Sequence, residues 1–170
     1  TDVFEHQEAR RAYNWEGAFV YDGKVHDHIG YRLRGANGKY QLAGKRSMRF
    51  RFNRGNYLQA RNLEGKNYSQ KWKFLVVGKM FGNRQVGNFG LAEILNMQLW
   101  NMFGVPANDG YWFHFRVIDG EQESPSGANG QYYGDFWGMF LAFENYDVRF
   151  IESRNLPKAN FYKLSDRVFE

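Results

Sequence analysis

Apolar and polar residues alternate with a period of two along much of this chain, and one long apolar run breaks the rhythm. The run Gly17, Ala18, Phe19, Val20, Tyr21 is followed by Asp22-Gly23 and then by residues 24–34, a hairpin pattern with the turn dipeptide in place. Strict alternation through the second strand puts Val25, Asp27, Ile29, Tyr31 and Leu33 on one, mainly apolar face, and His26, His28, Gly30, Arg32 and Arg34 on a basic one. Residues 45–52 alternate more sharply. Met48, Phe50 and Phe52 are expected to face a core, while Lys45, Ser47, Arg49 and Arg51 form a row of cations with one hydroxyl.

Further along, Arg54-Gly55-Asn56 predicts a turn, 58–70 an irregular connection, and 71–77 a strand bounded by Gly78. Residues 88–103 are too apolar for a surface helix and too long for a strand, so a largely buried helix is expected, capped by Asn88 and stopped by Gly104 and Pro106. Its one charged residue, Glu93, must reach the surface or pair with a cation. A strand at 111–118 and a polar loop at 121–129 precede residues 129–144, the hairpin partner. That strand ends in Glu144, Asn145, Tyr146 and Asp147, and a buried strand with a polar end is a natural place for a ligand. The pattern predicts an α+β fold, mainly an antiparallel sheet with one long buried helix, in a single domain over 15–170 after a polar lead-in at 1–14.

Composition narrows the function classes. With 170 residues, 19% aromatic, the chain can bury a substantial core. It has no cysteine, which excludes a disulfide framework and thiolate metal sites. No apolar run approaches the roughly 20 residues of a membrane span, and a start at Thr1 suits a segment excised from a longer protein. The formal charge of +5 favours anionic partners. The row at Lys45, Ser47, Arg49 and Arg51, beside a loop with three glycines at 35–44, suits phosphate oxygens and equally suits a solvated strand face. His26 and His28 lack a third ligand nearby and read as half-exposed strand histidines rather than a zinc pair. Lys71-Trp72-Lys73-Phe74 interleaves basic and aromatic residues, but without a binding motif it reads as a half-buried strand rather than a nucleic-acid surface.

Taken in order, Tyr31-Arg32-Leu33-Arg34-Gly35, Gly44-Lys45-Arg46-Ser47-Met48-Arg49-Phe50, a helix ending Phe103-Gly104-Val105-Pro106-Ala107, and Asn129-Gly130-Gln131-Tyr132-Tyr133-Gly134 leading to Phe140-Leu141-Ala142-Phe143-Glu144 resemble the spore coat protein CotH family of secreted or surface kinase-like proteins. Asn160-Phe161-Tyr162-Lys163-Leu164 adds to the likeness, which runs from about Trp15 to Leu164. Gly44 and Arg46 stand where the family often has proline and a second lysine. The resemblance implies the N-terminal lobe of an atypical protein kinase, with Arg34, Lys45, Arg49, Glu93, Phe143 and Glu144 around ATP and Mg²⁺ or Mn²⁺. Lys45 would hold phosphates, Glu93 would orient that lysine, and the backbone of Phe143-Glu144-Asn145 would meet adenine. It implies transfer of the γ-phosphate to protein Ser or Thr at an extracellular, cell or spore surface. Too few residues follow Glu144 for the catalytic and metal-binding aspartates, and Asp166 lies in no catalytic motif, so the catalytic half is expected outside this chain. The alternative is a non-catalytic extracellular binding or structural module that meets a polymer or partner protein.

Overall fold

The computed structural model describes residues 15–34, 47–78, 90–118, 136–160 and 162. Strands β1 (Trp15–Tyr21) and β2 (Lys24–Arg34) form the expected hairpin. Asp22 and Gly23 both take positive φ, 51° and 72°, the left-handed pair of a tight turn whose twist matches the strands it joins. Strands β3 (Ser47–Arg51), β4 (Phe74–Gly78), β5 (Gly110–Arg116) and β6 (Phe136–Glu144) complete an antiparallel sheet in the order β1-β2-β3-β4-β6-β5. Helix α1 spans Leu91–Met102 and α2 spans Val148–Ser153. The sheet curls into a half-barrel, so that Tyr21 on one edge strand and Tyr111 on the other come within 6.3 Å, ring to ring, and hydrogen-bond. The fold is α+β with the sheet dominant.

The phase expected for β2 needs correction. Pairing with β1 shifts between Gly17 and Phe19, which stand opposite Ile29 and His26, and His28 adopts φ 50°. This bulge inserts one extra residue and changes the face on which later residues lie. Ile29 and Leu33 face the core as expected, but Val25 and Asp27 are exposed and His26 is buried, 1% exposed, rather than half-exposed. His26 Nδ1 pairs with the Asn56 carbonyl oxygen at 2.9 Å and its ring packs edge-on to Phe52. Burial outweighs that hydrogen bond and pushes its pKa down, so it is held neutral. His28 is exposed, so the two histidines do not share a face.

The concave side holds the main core, and here the alternation of β3 is correct: Met48, Phe50 and Phe52 all point into it. Phe50 meets Phe19 and Phe115, and Phe115 meets Phe140, at ring separations of 5.0, 5.9 and 5.3 Å, all tilted or edge-on as the ring quadrupoles favour. The β3–β4 connection also contributes to the core. Leu58 and Trp72 exchange backbone hydrogen bonds of 3.0 and 2.8 Å, closing a loop that buries Leu58, Ala60 and Trp72. Trp72 is therefore not available to stack on bases.

The helix departs most from expectation. Gly90, in the left-handed conformation, occupies the N-cap of α1 and makes no side-chain cap; Asn88 lies outside the described residues. It ends as the glycine predicts. Gly104, φ 78°, donates to the Asn101 carbonyl and Val105 donates to that of Trp100, the paired bonds of a Schellman motif. Far from being largely buried, the helix buries Ile94 alone and half-buries Met97 and Asn101. Ile94 and Met97 pack on the convex face of the sheet with Val76, Leu141 and Phe143, forming a second, smaller core, while Asn101 Oδ1 accepts from the Ala107 N–H at 2.8 Å. Gly110 sets how closely helix and sheet approach: a Cβ there would lie 2.8 Å from Ile94 Cδ1, 2.9 Å from the Ala142 carbonyl oxygen and 3.0 Å from Phe143 Cδ1. Gly110→Ala is expected to destabilise by about 2 kcal/mol, because the Ala142 oxygen is backbone and cannot step aside; urea unfolding measures it. Among the described residues no helix is long and apolar enough to cross a membrane.

Candidate functional site

Antiparallel register fixes which side chains share the convex face, because directly opposed residues point the same way. One row runs Arg32, Arg49, Val76, Phe143, Gly110 across five strands. Flanking rows add Arg34 opposite Ser47 and Arg51 opposite Phe74. Helix α1 covers the β4-β6-β5 part of this face, and four arginines occupy the β2-β3 part. Here the sequence reading and the structure agree on a basic sheet face, although Lys45, the first residue of the expected row, lies outside the described residues.

Arg49 is the centre of that face. Its guanidinium lies 3.9 Å above the Phe74 ring, a cation–π contact that holds the side chain flat, and Lys73 Nζ approaches the same ring at 5.3 Å. Arg49 Nε is buried and meets no hydrogen-bond acceptor among the described residues. Its pKa is lowered first by burial, then by the positive charges of Arg32, Arg34 and Arg51, with Asp147 acting in the opposite sense. Four like charges on one sheet face repel each other. An anion placed among them would relieve that repulsion and supply the acceptor that Nε lacks.

The other expected site residues separate into two groups. Phe143 shares the Arg49 row, but its side chain is buried beneath α1. Glu93 sits exposed in the first turn of α1, its carboxylate near Gly90. Glu144 points to the opposite, concave side, opposed to the core residue Leu75. It is 3% exposed and bonded to Arg154, Nη2 to Oε2 at 2.8 Å. The same Arg154 nitrogen reaches Asp109 Oδ2 at 3.2 Å and donates to the Ala107 carbonyl at 2.7 Å, while the guanidinium covers the Phe150 ring at 4.0 Å. Burial pushes both carboxyls up, and Arg154 holds them down. Tyr68, nearby, is raised by burial and then by these two acids. The cluster joins the lead-in to β5, the end of β6 and the end of α2, which makes it a structural lock.

The expected hinge passes through this lock. The Glu144 N–H donates to the Asp109 carbonyl at 2.8 Å, and its carbonyl accepts from Asn108 Nδ2 at 2.7 Å, so both of its peptide groups are engaged within the fold. Asp147 caps α2, its Oδ1 accepting from the Arg149 N–H at 2.9 Å. Arg32 and Arg51 join the candidate residues for the convex face. Their two-residue spacing from Arg34 and Arg49 is the signal that places them there. Among the described residues no group of three or more His, Asp or Glu could hold a metal ion. Comparison of the chain with protein-family models, with curated proteins and with solved structures finds no match.

Proposed function

We propose that this chain binds ATP, with its phosphates on the arginine-bearing convex face of β2 and β3, as the nucleotide-binding half of a CotH-like atypical protein kinase. The observation that carries the reading is Arg49: a cation held flat on Phe74, its Nε buried without an acceptor among the described residues, and three more arginines around it. A polyphosphate brings several negative charges to one place, and one of its oxygens would supply the acceptor that Arg49 Nε does not find among the described residues. Helix α1 packs on the same face of the sheet with Glu93 in its first turn, in keeping with an acid that orients a phosphate-binding lysine. In this reading Lys45 joins the arginines, Mg²⁺ or Mn²⁺ accompanies the nucleotide, and the aspartates that complete transfer to protein Ser or Thr lie outside this chain. A secreted or surface location follows from the same resemblance.

One observation favours a non-catalytic binding module instead. Glu144, the middle residue of the expected Phe143-Glu144-Asn145 hinge, has its N–H and its carbonyl engaged inside the fold and so offers adenine neither group to pair with.

A thermal shift separates the two. ATP with Mg²⁺ at about ten times its Kd should add about 1.4 kcal/mol, raising Tm by about 3–6 °C for a chain of this size. Lys45→Ala or Arg49→Ala should remove most of the shift. No shift at millimolar ATP, with either metal, would contradict nucleotide binding and favour the module.

A further inference from the structure

The arginine face and its surroundings make different offers to the two ends of a nucleotide. Register sets cations on three successive levels of β2 and β3: Arg34 opposite Ser47, Arg32 opposite Arg49, and Arg51 opposite Gly30. Same-face levels lie two residues apart, so the band runs about 13 Å along the strands. Lys73 Nζ joins it at the Phe74 ring. Towards β6 the surface is filled instead. The Phe143 ring takes the space above Gly78, where a Cβ would lie 2.9 Å from its Cε2, and α1 closes over that ring through Ile94. The buried residues at this boundary, Val76, Ile94, Leu141 and Phe143, have hydrocarbon side chains and no group with which to read a base. The Glu144 N–H and carbonyl, next along β6, are bonded to Asp109 and Asn108.

We infer that this site selects its ligand by the phosphate chain and not by the base, so that its substrate class is any nucleoside triphosphate and inorganic triphosphate as well. The inference rests on the reading of the arginine face as a phosphate site and adds which part of the ligand supplies the affinity. Guanidinium groups donate to phosphate oxygens whatever is attached beyond them. Base selectivity has a different origin: it needs buried polar groups that the wrong base leaves unpaired. The band on β2 and β3 provides the first, and its apolar border with α1 provides nothing of the second. Affinity should therefore follow the number of phosphate groups.

Isothermal titration of the full chain in excess Mg²⁺ with ATP, GTP, CTP and inorganic tripolyphosphate, then with ADP, AMP and adenosine, tests this. The four triphosphates should agree within about tenfold, against the roughly 10⁴-fold discrimination that a hydrogen-bonded base site reaches. Each phosphate group removed should weaken binding by at least about tenfold, the loss of one charge-assisted hydrogen bond, and adenosine should give no heat. Arg49→Ala should weaken ATP and tripolyphosphate by the same factor. Binding of ATP more than about tenfold tighter than GTP and tripolyphosphate, binding of adenosine, or AMP as tight as ATP overturns the inference and leaves the phosphate site standing. Tripolyphosphate binding that Arg49→Ala does not change overturns it too, because the anion is then held elsewhere. If no triphosphate binds, the inference falls together with the reading on which it rests.

Discussion

Arg154→Ala is expected to destabilise the protein by about 3–5 kcal/mol, chiefly the cost of leaving the buried Glu144 carboxylate, and with it the half-buried Asp109, without their cation. Glu144 and Asp109 both rely on that one guanidinium, at 2.8 and 3.2 Å, and the Arg154 side chain is itself mostly buried. The Ala107 carbonyl loses its donor in the same step. Against a typical domain stability of roughly 5–15 kcal/mol this is a large fraction. The effect should also depend on pH. Both carboxyls have folded pKa values raised by burial, so their favourable contribution is fully present below the ordinary carboxylate range and is lost as pH rises through the raised values. Removing Arg154 raises both further. The variant should therefore recover on acidification, by about 1.4 kcal/mol per pH unit for each proton taken up, where the wild type gains less. Guanidinium unfolding at pH 5 and pH 8 measures this, and a loss equal at both values would show that packing on Phe150 matters more than charge.

Phe140→Ala should cost about as much, 3–5 kcal/mol, for a different reason. Phe140 is fully buried and its ring meets Phe113 and Phe115 at 6.3 and 5.3 Å, in the middle of the strand that joins the two cores. Truncation leaves a cavity walled by rigid rings that cannot collapse into it. Phe140→Leu should cost markedly less, and unfolding curves with an unchanged m-value would show that the native state, rather than the denatured one, has changed.

What the sequence revealed depended on how local the determining interaction is. The Asp22-Gly23 turn and the inward set Met48, Phe50 and Phe52 were legible because neighbouring residues decide them. The phase of β2 was not. A bulge at His28 counts one extra residue, and histidine in a left-handed conformation leaves no mark that alternation can register. For α1 the residue types misled: leucines on its exposed flank look the same in sequence as leucines in a core, and only the sheet decides which side is covered. That Arg34 and Arg49 share a sheet face was legible because strand periodicity decides it. The ion-pair cluster of Glu144 was not legible, because its partner Arg154 follows α2 and Asp109 lies 35 residues earlier in the chain. No spacing rule connects those three.

On the reading proposed above, the arginines of β2 and β3 form an anion site for a nucleotide. Isothermal titration of the chain with Mg²⁺·ATP tests it most directly, with Arg49→Ala and the distant exposed Arg61→Ala in parallel. Each charge-assisted hydrogen bond lost should cost about 1.5–3 kcal/mol, so Arg49→Ala should weaken binding by at least about tenfold, while Arg61→Ala leaves it unchanged. Pyrophosphate should compete for the same site. Equal affinity in the Arg49 and Arg61 variants, or no heat of binding in the wild type, would contradict the claim.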